Sequence, residues 1–148
     1  MAEAGARVPL FDRLADHDRT SPVEDKVVRH LDSAGLKQSV RREIERLVNT
    51  RSPVRVEELA AEGRHNLNYG LPDLSLFAPL DHESALAVAA CVREAIERFE
   101  PRLQLVDVSV VEALRERNTM TVRVDGWLSF GSRREPLSFD VVPFGEEG

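Results

Sequence analysis

The residue types best suited to chemistry meet in one short stretch, "RFEPRLQLVDV" at residues 98–108, where a helical pattern changes into a strand pattern. Within it, Glu100 and Arg102 flank a proline. A glutamate in such a place could be the proton donor of a glycosidase, which needs a second carboxyl group about 5 Å away. Candidates for that second carboxyl group are Asp73, Asp107 and Asp140.

The local chemistry of this junction argues against a proton donor. Pro101 disfavours helical geometry at Glu100, and residues two apart in an extended chain project to the same side, so we expect Arg102 beside Glu100. A neighbouring guanidinium group favours the ionised carboxylate, which is the opposite of what a general acid requires. From the residues alone, two interpretations stay open: a stiff junction that displays paired charges to a partner, or a helix end whose charges are solvated.

No other part of the sequence carries a recognisable catalytic or ligand-binding motif. The histidines are isolated, and none has a cysteine or a second histidine at metal-ligand spacing. The sequence also lacks a glycine-rich phosphate loop and the strained serine turn of a hydrolase. The single cysteine, Cys91, lies in a helix-like stretch, where we expect a buried and inert thiol. We therefore predict no metal and no cofactor.

Composition favours one soluble globular domain. The chain has 148 residues, 42% of them hydrophobic and 31% charged, and a net charge of −6 that disfavours nucleic acid as a partner. No apolar run approaches the roughly 20 residues of a membrane span, and the N-terminus lacks a secretory signal, so we expect a cytoplasmic protein. The basic residues within 37–55 form either a solvated helix face or a docking surface for an acidic protein.

Helical periodicity predicts three helices after a short N-terminal docking segment, residues 1–20. The first helix begins with a capping box at Ser21 and is interrupted at Gly35. The second continues to Val48, and the third follows a cap at Asp81, with an irregular, turn-rich connector between them. The residues that should face the core are Val23, Val27 and Leu31 in the first helix, Leu36, Val40, Ile44, Leu47 and Val48 in the second, and Leu86, Ala89, Val92, Ile96 and Phe99 in the third.

After Pro101 the hydrophobic period changes to two, which predicts three strands joined by short turns. We expect an α+β domain over residues 21–148, with N-terminal helices and a long helix packed on one face of a three-stranded antiparallel β-meander. Trp127 falls on the opposite face from the apolar positions. An exposed aromatic residue there is either an ordinary surface residue or an interface anchor, and we favour the anchor.

Five short motifs give the sequence a family resemblance. They are "LFDRL", "LVNTR", "NYGLPDLS", "FEPRL" and "FDVV", which occur here in the order and approximate spacing of the TssE family. These are baseplate subunits of type VI secretion systems, related to the lysozyme-like wedge proteins of contractile phage tails. The resemblance covers residues 10–142. The chain departs from the pattern at "EGRHNLN", where His65 and Asn66 replace expected apolar or small residues.

The resemblance implies a structural protein rather than an enzyme. A member of this family would sit in a cytoplasmic baseplate docked at the inner membrane, join the subunits TssF and TssG with other baseplate proteins, and initiate the contractile sheath of TssB and TssC. It implies no nucleic-acid partner and no insertion into the membrane. The family's Glu-Pro-Arg motif falls on Glu100, Pro101 and Arg102, which would contact the helical bundle of the wedge partners. The partner-binding set also includes Arg51, Tyr69 and Trp127.

Sheath initiation by strand addition would use an edge of the small sheet, because an edge strand has unpaired backbone groups. The candidate edges are residues 136–142 and 103–110, and the residues favoured for pairing are Leu137, Phe139, Asp140 and Val141. Two alternatives remain. One is a wedge protein of a phage tail or phage-derived injection device, and the other is a lysozyme-like enzyme that cleaves peptidoglycan.

Overall fold

Two helices and two antiparallel sheets make up the described part of the chain. The computed structural model describes residues 6–7, 30–55, 58, 68–74, 82–114 and 119–143. In this part of the chain, neither helix has the length and apolar character needed to cross a membrane. The elements in chain order are β1 (Ala6–Arg7), β2 (His30–Leu31), α1 (Ser33–Val48), α2 (His82–Phe99), β3 (Leu103–Leu114), β4 (Thr119–Phe130) and β5 (Arg133–Val141).

Helix α1 begins at a side-chain cap. The Asp32 carboxylate accepts a hydrogen bond from the backbone N–H of Gly35 at 2.7 Å, which satisfies one of the unpaired donors of the first turn. The predicted interruption at Gly35 is therefore wrong, because this glycine lies inside the first turn of the helix. Leu31 was predicted to be helical and instead lies in β2, opposite Ala6. The rest of the predicted first helix lies outside the described residues.

The buried side of α1 matches the periodic prediction, since Leu36, Val40, Ile44, Leu47 and Val48 are all at most 3% exposed. Helix α2 also matches, with one exception. Its residues Val92 and Ile96 are fully buried, whereas Leu86 is 57% exposed and does not belong to the core. Cys91 is buried as predicted, and burial raises the pKa of its thiol.

The larger sheet has the order β3-β4-β5, with both strand pairs antiparallel. This confirms the predicted α+β class and the three-stranded meander. A two-residue turn of Gly131 and Ser132 joins Phe130 to Arg133, and Gly131 has a φ of +59°. Glycine suits this position because two-residue hairpin turns require positive φ angles. The β4–β5 register is regular over its whole length.

Strand β3 departs from simple alternation. Gln104 pairs with Trp127 and Asp107 with Asp125, so Leu105 and Val106 together oppose Gly126 in a β-bulge. Leu105 has a φ of +52° and is 74% exposed, while Val106 is buried. A second irregularity follows Val110, where Val111 is the additional residue and is 43% exposed.

The hydrophobic core lies between the two helices and one face of the larger sheet. Three contacts tie β5 to α1 beyond this apolar packing. The Arg41 guanidinium lies 5.7 Å from the ring centroid of Phe139, and Glu135 binds both Lys37, at 2.9 Å, and Ser33. These hydrogen bonds lower the pKa of Glu135. Core members from the sheet are Leu103, Val106, Val122, Val124, Leu128, Phe139 and Val141.

Candidate partner-binding site

The Glu-Pro-Arg motif forms a tight turn between α2 and β3. The N–H of Glu100 still bonds to the Ile96 carbonyl at 2.8 Å, and the N–H of Leu103 bonds back to the Glu100 carbonyl at 3.2 Å. Pro101 occupies the second position of this turn, where its fixed φ is favourable. We predicted an extended segment at this point. The turn nevertheless produces the contact expected from the sequence, because it brings Arg102 onto Glu100.

Glu100 and Arg102 form a bidentate ion pair. Arg102 donates from Nε to Glu100 Oε1 at 2.7 Å and from Nη2 to Oε2 at 2.5 Å, and its backbone N–H reaches Oε1 at 3.2 Å. A third guanidinium nitrogen, Nη1, donates to Ser39 Oγ on α1 at 3.1 Å. Glu100 is 2% exposed and the Arg102 side chain 28% exposed, so the carboxylate is enclosed and the guanidinium partly accessible.

Tyr69 extends this arrangement along α1. Its hydroxyl donates to Glu43 Oε1 at 2.8 Å, and its ring meets Phe99 edge-on with 5.4 Å between ring centroids. Burial, and next the hydrogen bond to the Glu43 carboxylate, raise the pKa of Tyr69 well above its ordinary value. The hydroxyl therefore remains a proton donor. We call the connected set Ser39, Glu43, Tyr69, Phe99, Glu100 and Arg102 the junction cluster.

A close backbone contact holds the Tyr69 loop against the end of α1. The Leu71 N–H bonds to the Thr50 carbonyl at 2.8 Å, and the Ser52 N–H bonds to the Leu71 carbonyl at 2.7 Å, which makes a short parallel bridge beside Arg51. Gly70 has a φ of +112°, and a Cβ atom there would lie 2.4 Å from the Thr50 carbonyl oxygen. The motifs "LVNTR" and "NYGLPD" thus meet at this contact.

Ser39 and Glu43 were not singled out from the sequence. The available signal was their spacing, because residues four apart lie on one helix face, and both fall beside the apolar stripe of α1. Two of the three second carboxyl groups considered for a glycosidase do not join Glu100. Asp107 and Asp140 lie on the exposed face of the sheet, whereas Glu100 contacts α1 through Arg102, on the other face.

The other predicted site residues lie away from the junction cluster. Trp127 is on the exposed sheet face and is 42% exposed. Phe139 and Val141 direct their side chains into the core, and Leu137 is half-buried against it. Asp140 is exposed and accepts two hydrogen bonds from Arg123, at 2.8 and 3.0 Å.

Backbone hydrogen bonding to β4 alternates along β5. This alternation decides which backbone groups of β5 face outward, away from β4. The two-residue turn makes Phe130 and Arg133 a hydrogen-bonded pair, so every second residue from Arg133 bonds to β4. The residues between them direct their backbone groups away from β4. These are Arg134, Pro136, Ser138 and Asp140. Ser138 was missed from the sequence because only the turn position reveals this alternation.

Comparison with known proteins assigns the chain to a family. Residues 34–131 match the model of the family described as baseplate wedge protein gp25. The chain therefore belongs to the gp25 baseplate wedge family, whose members are structural, and the protein is a component of a phage-like baseplate. This confirms the wedge-protein resemblance found in the motifs. No curated protein sequence matches the chain.

The solved structures that match this chain include two of low sequence identity. One belongs to the baseplate complex from the type VI secretion system, with 20% identity, a TM-score of 0.47, and coverage of 72% of this chain and 93% of the other. The second is a protein from Geobacter sulfurreducens provisionally described as a tail lysozyme, with 15% identity, a TM-score of 0.45, and coverage of 74% and 91%.

Proposed function

We propose that this protein is the TssE-type wedge subunit of a type VI secretion baseplate, which joins TssF and TssG and initiates the sheath of TssB and TssC. The observation that carries the proposal is the meeting of the family-like motifs in one structural unit. Arg51 of "LVNTR" adjoins the "NYGLPD" loop, whose Tyr69 packs on Phe99 beside the Glu-Pro-Arg turn. In this role the subunit works in the cytoplasm, within a baseplate at the inner membrane.

The same geometry supports a role without catalysis. Both carboxylate oxygens of Glu100 accept hydrogen bonds from Arg102, which therefore occupies the positions a substrate oxygen would need. A lysozyme-like reaction needs a protonated carboxyl group that can reach the substrate. Glu100 is 2% exposed and reaches Arg102 instead. We therefore propose that the lysozyme-like fold serves assembly alone.

In the proposed wedge contact, Pro101 and Arg102 face the helices of the partner subunits, and Glu100 acts indirectly. Pro101 is exposed and the Arg102 guanidinium is partly exposed, whereas the Glu100 carboxylate is enclosed. Glu100 would hold the guanidinium in one orientation, which lowers the conformational entropy lost on binding. The exposed Arg51 would supply a second cationic contact to the same partners.

For the sheath contact, β5 is the better edge. Strand β3 contains two bulges, which interrupt a regular ladder, whereas β5 keeps one register throughout. Pro136 faces outward and has no N–H, so it blocks one donor position and blunts the first half of β5. An incoming sheath strand would therefore pair with the second half of the predicted edge, through the outward backbone groups of Ser138 and Asp140.

Proline substitutions test which half of β5 pairs with the sheath strand. Ser138→Pro removes one outward N–H without touching the β4 ladder, so baseplates should still assemble while sheaths per cell fall about fivefold, as expected when one hydrogen bond of about 1 kcal/mol is lost. Arg134→Pro makes the same change in the half already blunted by Pro136 and should leave sheath number unchanged. Sheaths are counted with a fluorescent sheath subunit. Normal sheaths with Ser138→Pro, or equal loss with Arg134→Pro, would contradict this edge assignment.

A further inference from the structure

The exposed face of the larger sheet carries side chains in rows across the three strands. Residues directly opposite in antiparallel strands lie on the same face and contact one another, so the register defines the rows. The first row is Gln104, Trp127 and Pro136, the second is Asp107, Asp125 and Ser138, and the third is Ser109, Arg123 and Asp140. The helices cover the other face, so none of these rows belongs to the core.

The apolar residues of this face lie at its first row, where Trp127 is opposite Pro136 and Leu105 follows Gln104 along β3. Trp127 is 42% exposed, and Leu105 is 74% exposed and follows Gln104 in the bulge. A leucine at a φ of +52° is strained by roughly 1 kcal/mol or more, because its Cβ clashes with the backbone there. The fold therefore holds a large apolar side chain in solvent at a cost. Strained positions of this kind occur at binding sites.

The second row is acidic, and the Arg123 guanidinium of the third row, which interacts electrostatically with Asp125, is shared with Asp140. Asp107 and Asp125 are directly opposite, a like-charge pairing that destabilises a sheet. The guanidinium of the third row, Arg123, already binds both oxygens of Asp140, and these hydrogen bonds lower the pKa of Asp140. Together the second and third rows hold three carboxylates and one guanidinium. A cation supplied from outside would relieve the repulsion.

We propose that this face is a docking surface for a basic amphipathic helix of another baseplate subunit. An apolar side chain of that helix packs on Trp127 and Leu105, and a lysine or arginine four residues along contacts Asp107 and Asp125. The spacing suits a helix, because neighbouring rows on one strand are about 6.8 Å apart and four helical residues rise about 6 Å.

This inference rests on the proposed function only in taking the partner to be a baseplate subunit. The surface is separate from the junction cluster, which packs against α1 on the other face of the sheet. It also differs from the β5 edge, since it uses side chains of β3 and β4 rather than backbone groups. A variant that disrupts one of these three surfaces should therefore leave the other two intact.

Photo-crosslinking in the native cells identifies the occupant. Benzoylphenylalanine replaces Trp127 in one variant and the exposed Arg93 of α2 in a control variant. We expect position 127 alone to cross-link to a helix of another baseplate subunit in which a lysine or arginine lies four residues from an apolar residue. Three outcomes would overturn the inference. Position 127 could cross-link to a segment without a basic residue, it could cross-link to a second copy of this chain, or it could give no cross-link while baseplate subunits still co-purify. Loss of co-purification with the wild type would overturn the proposed function instead.

A synthetic peptide of the cross-linked helix then tests each part of the surface. The fluorescence of Trp127, the one tryptophan of the chain, reports binding to the wild type, and calorimetry measures the variants. Trp127→Ala should weaken binding at least about 30-fold. The double variant Asp107→Asn, Asp125→Asn should bind about tenfold more weakly, and its affinity should no longer depend on salt concentration. Ser109→Ala, on the same face, should bind like the wild type. Unchanged affinity in the double asparagine variant would overturn the charge pairing.

The variant Leu105→Gly tests whether the Leu105 side chain contributes to docking or only strains the backbone. Glycine relieves the positive φ, so the variant should unfold at a higher denaturant concentration than the wild type. It should also bind the peptide at least about tenfold more weakly, because the apolar contact is lost. Higher stability with unchanged affinity would mean that the exposed leucine takes no part in docking.

Discussion

Arg102→Ala lowers the free energy of unfolding by about 3–5 kcal/mol, the range expected when one partner of a buried ion pair is removed. The substitution removes the two side-chain hydrogen bonds that Arg102 donates to the Glu100 carboxylate, which is 2% exposed, and leaves only the backbone N–H of residue 102 as a donor to it. It also removes the donor to Ser39, which links the turn to α1. Urea denaturation followed by circular dichroism measures the loss.

Arg123→Ala is the matched control for this loss. Arg123 and Asp140 also form a bidentate pair, at 2.8 and 3.0 Å, but both side chains are exposed on the sheet face. Exposed pairs contribute little because water solvates both partners in either state. The double variant Glu100→Leu, Arg102→Leu should recover much of the lost stability, since no buried charge remains. Equal destabilisation by Arg102→Ala and Arg123→Ala would contradict the role given to burial.

Gly70→Ala should destabilise the protein by about 3 kcal/mol, the second large effect. The added Cβ atom would lie 2.4 Å from the Thr50 carbonyl oxygen, so the backbone must move and weaken the hydrogen bonds between residues 50–52 and Leu71. Backbone strain of 1–3 kcal/mol and about 1 kcal/mol for each hydrogen bond give this magnitude. Denaturant unfolding measures it directly.

Gly131→Ala is the control for the part of the destabilisation that comes from placing alanine at a positive φ. Gly131 also has a positive φ, +59°, but it lies in the exposed turn between β4 and β5. Its substitution should therefore cost less than that of Gly70. If the two variants lose equal stability, the close approach of Gly70 to Thr50 contributes nothing and the strain of positive φ explains both.

The helix-to-sheet part of the fold was predictable because its hydrophobic period is regular. Val122, Val124 and Leu128 are buried as the alternation in β4 predicts. Strand β3 was less predictable, since Leu103 and Val106 are both buried although they are three residues apart. Only the bulge allows this, and a leucine at positive φ gives no sequence signal, because glycine is the residue usually found there.

The start of α1 was mispredicted because two local signals compete. Glycine has a low helix propensity, which suggested a break at Gly35, whereas Asp32 is a strong cap for a helix that begins one residue later. The cap prevails because Leu36, in the same turn, is buried in the core. Tertiary burial of this kind is not visible in a local window of sequence.

At the site, the pairing of Glu100 with Arg102 was predictable, and its enclosure was not. A two-residue spacing around a proline predicts proximity, but the 2% exposure of Glu100 depends on packing against α1. The junction cluster needs Ser39 and Glu43 as well, which are distant in sequence from the turn. Long-range contacts of this kind require the arrangement of both helices.

The most direct test of the central proposal is co-purification of the tagged protein from its native cells, with mass spectrometry of all associated chains. We predict recovery of the baseplate wedge subunits with the wild type and with Arg55→Glu, but not with Arg51→Glu, and thermal unfolding of both variants verifies that each is folded. Both arginines are exposed, so the pair separates a specific contact from a change of net charge. Recovery of no baseplate subunit with the wild-type protein would contradict the assignment as a wedge component.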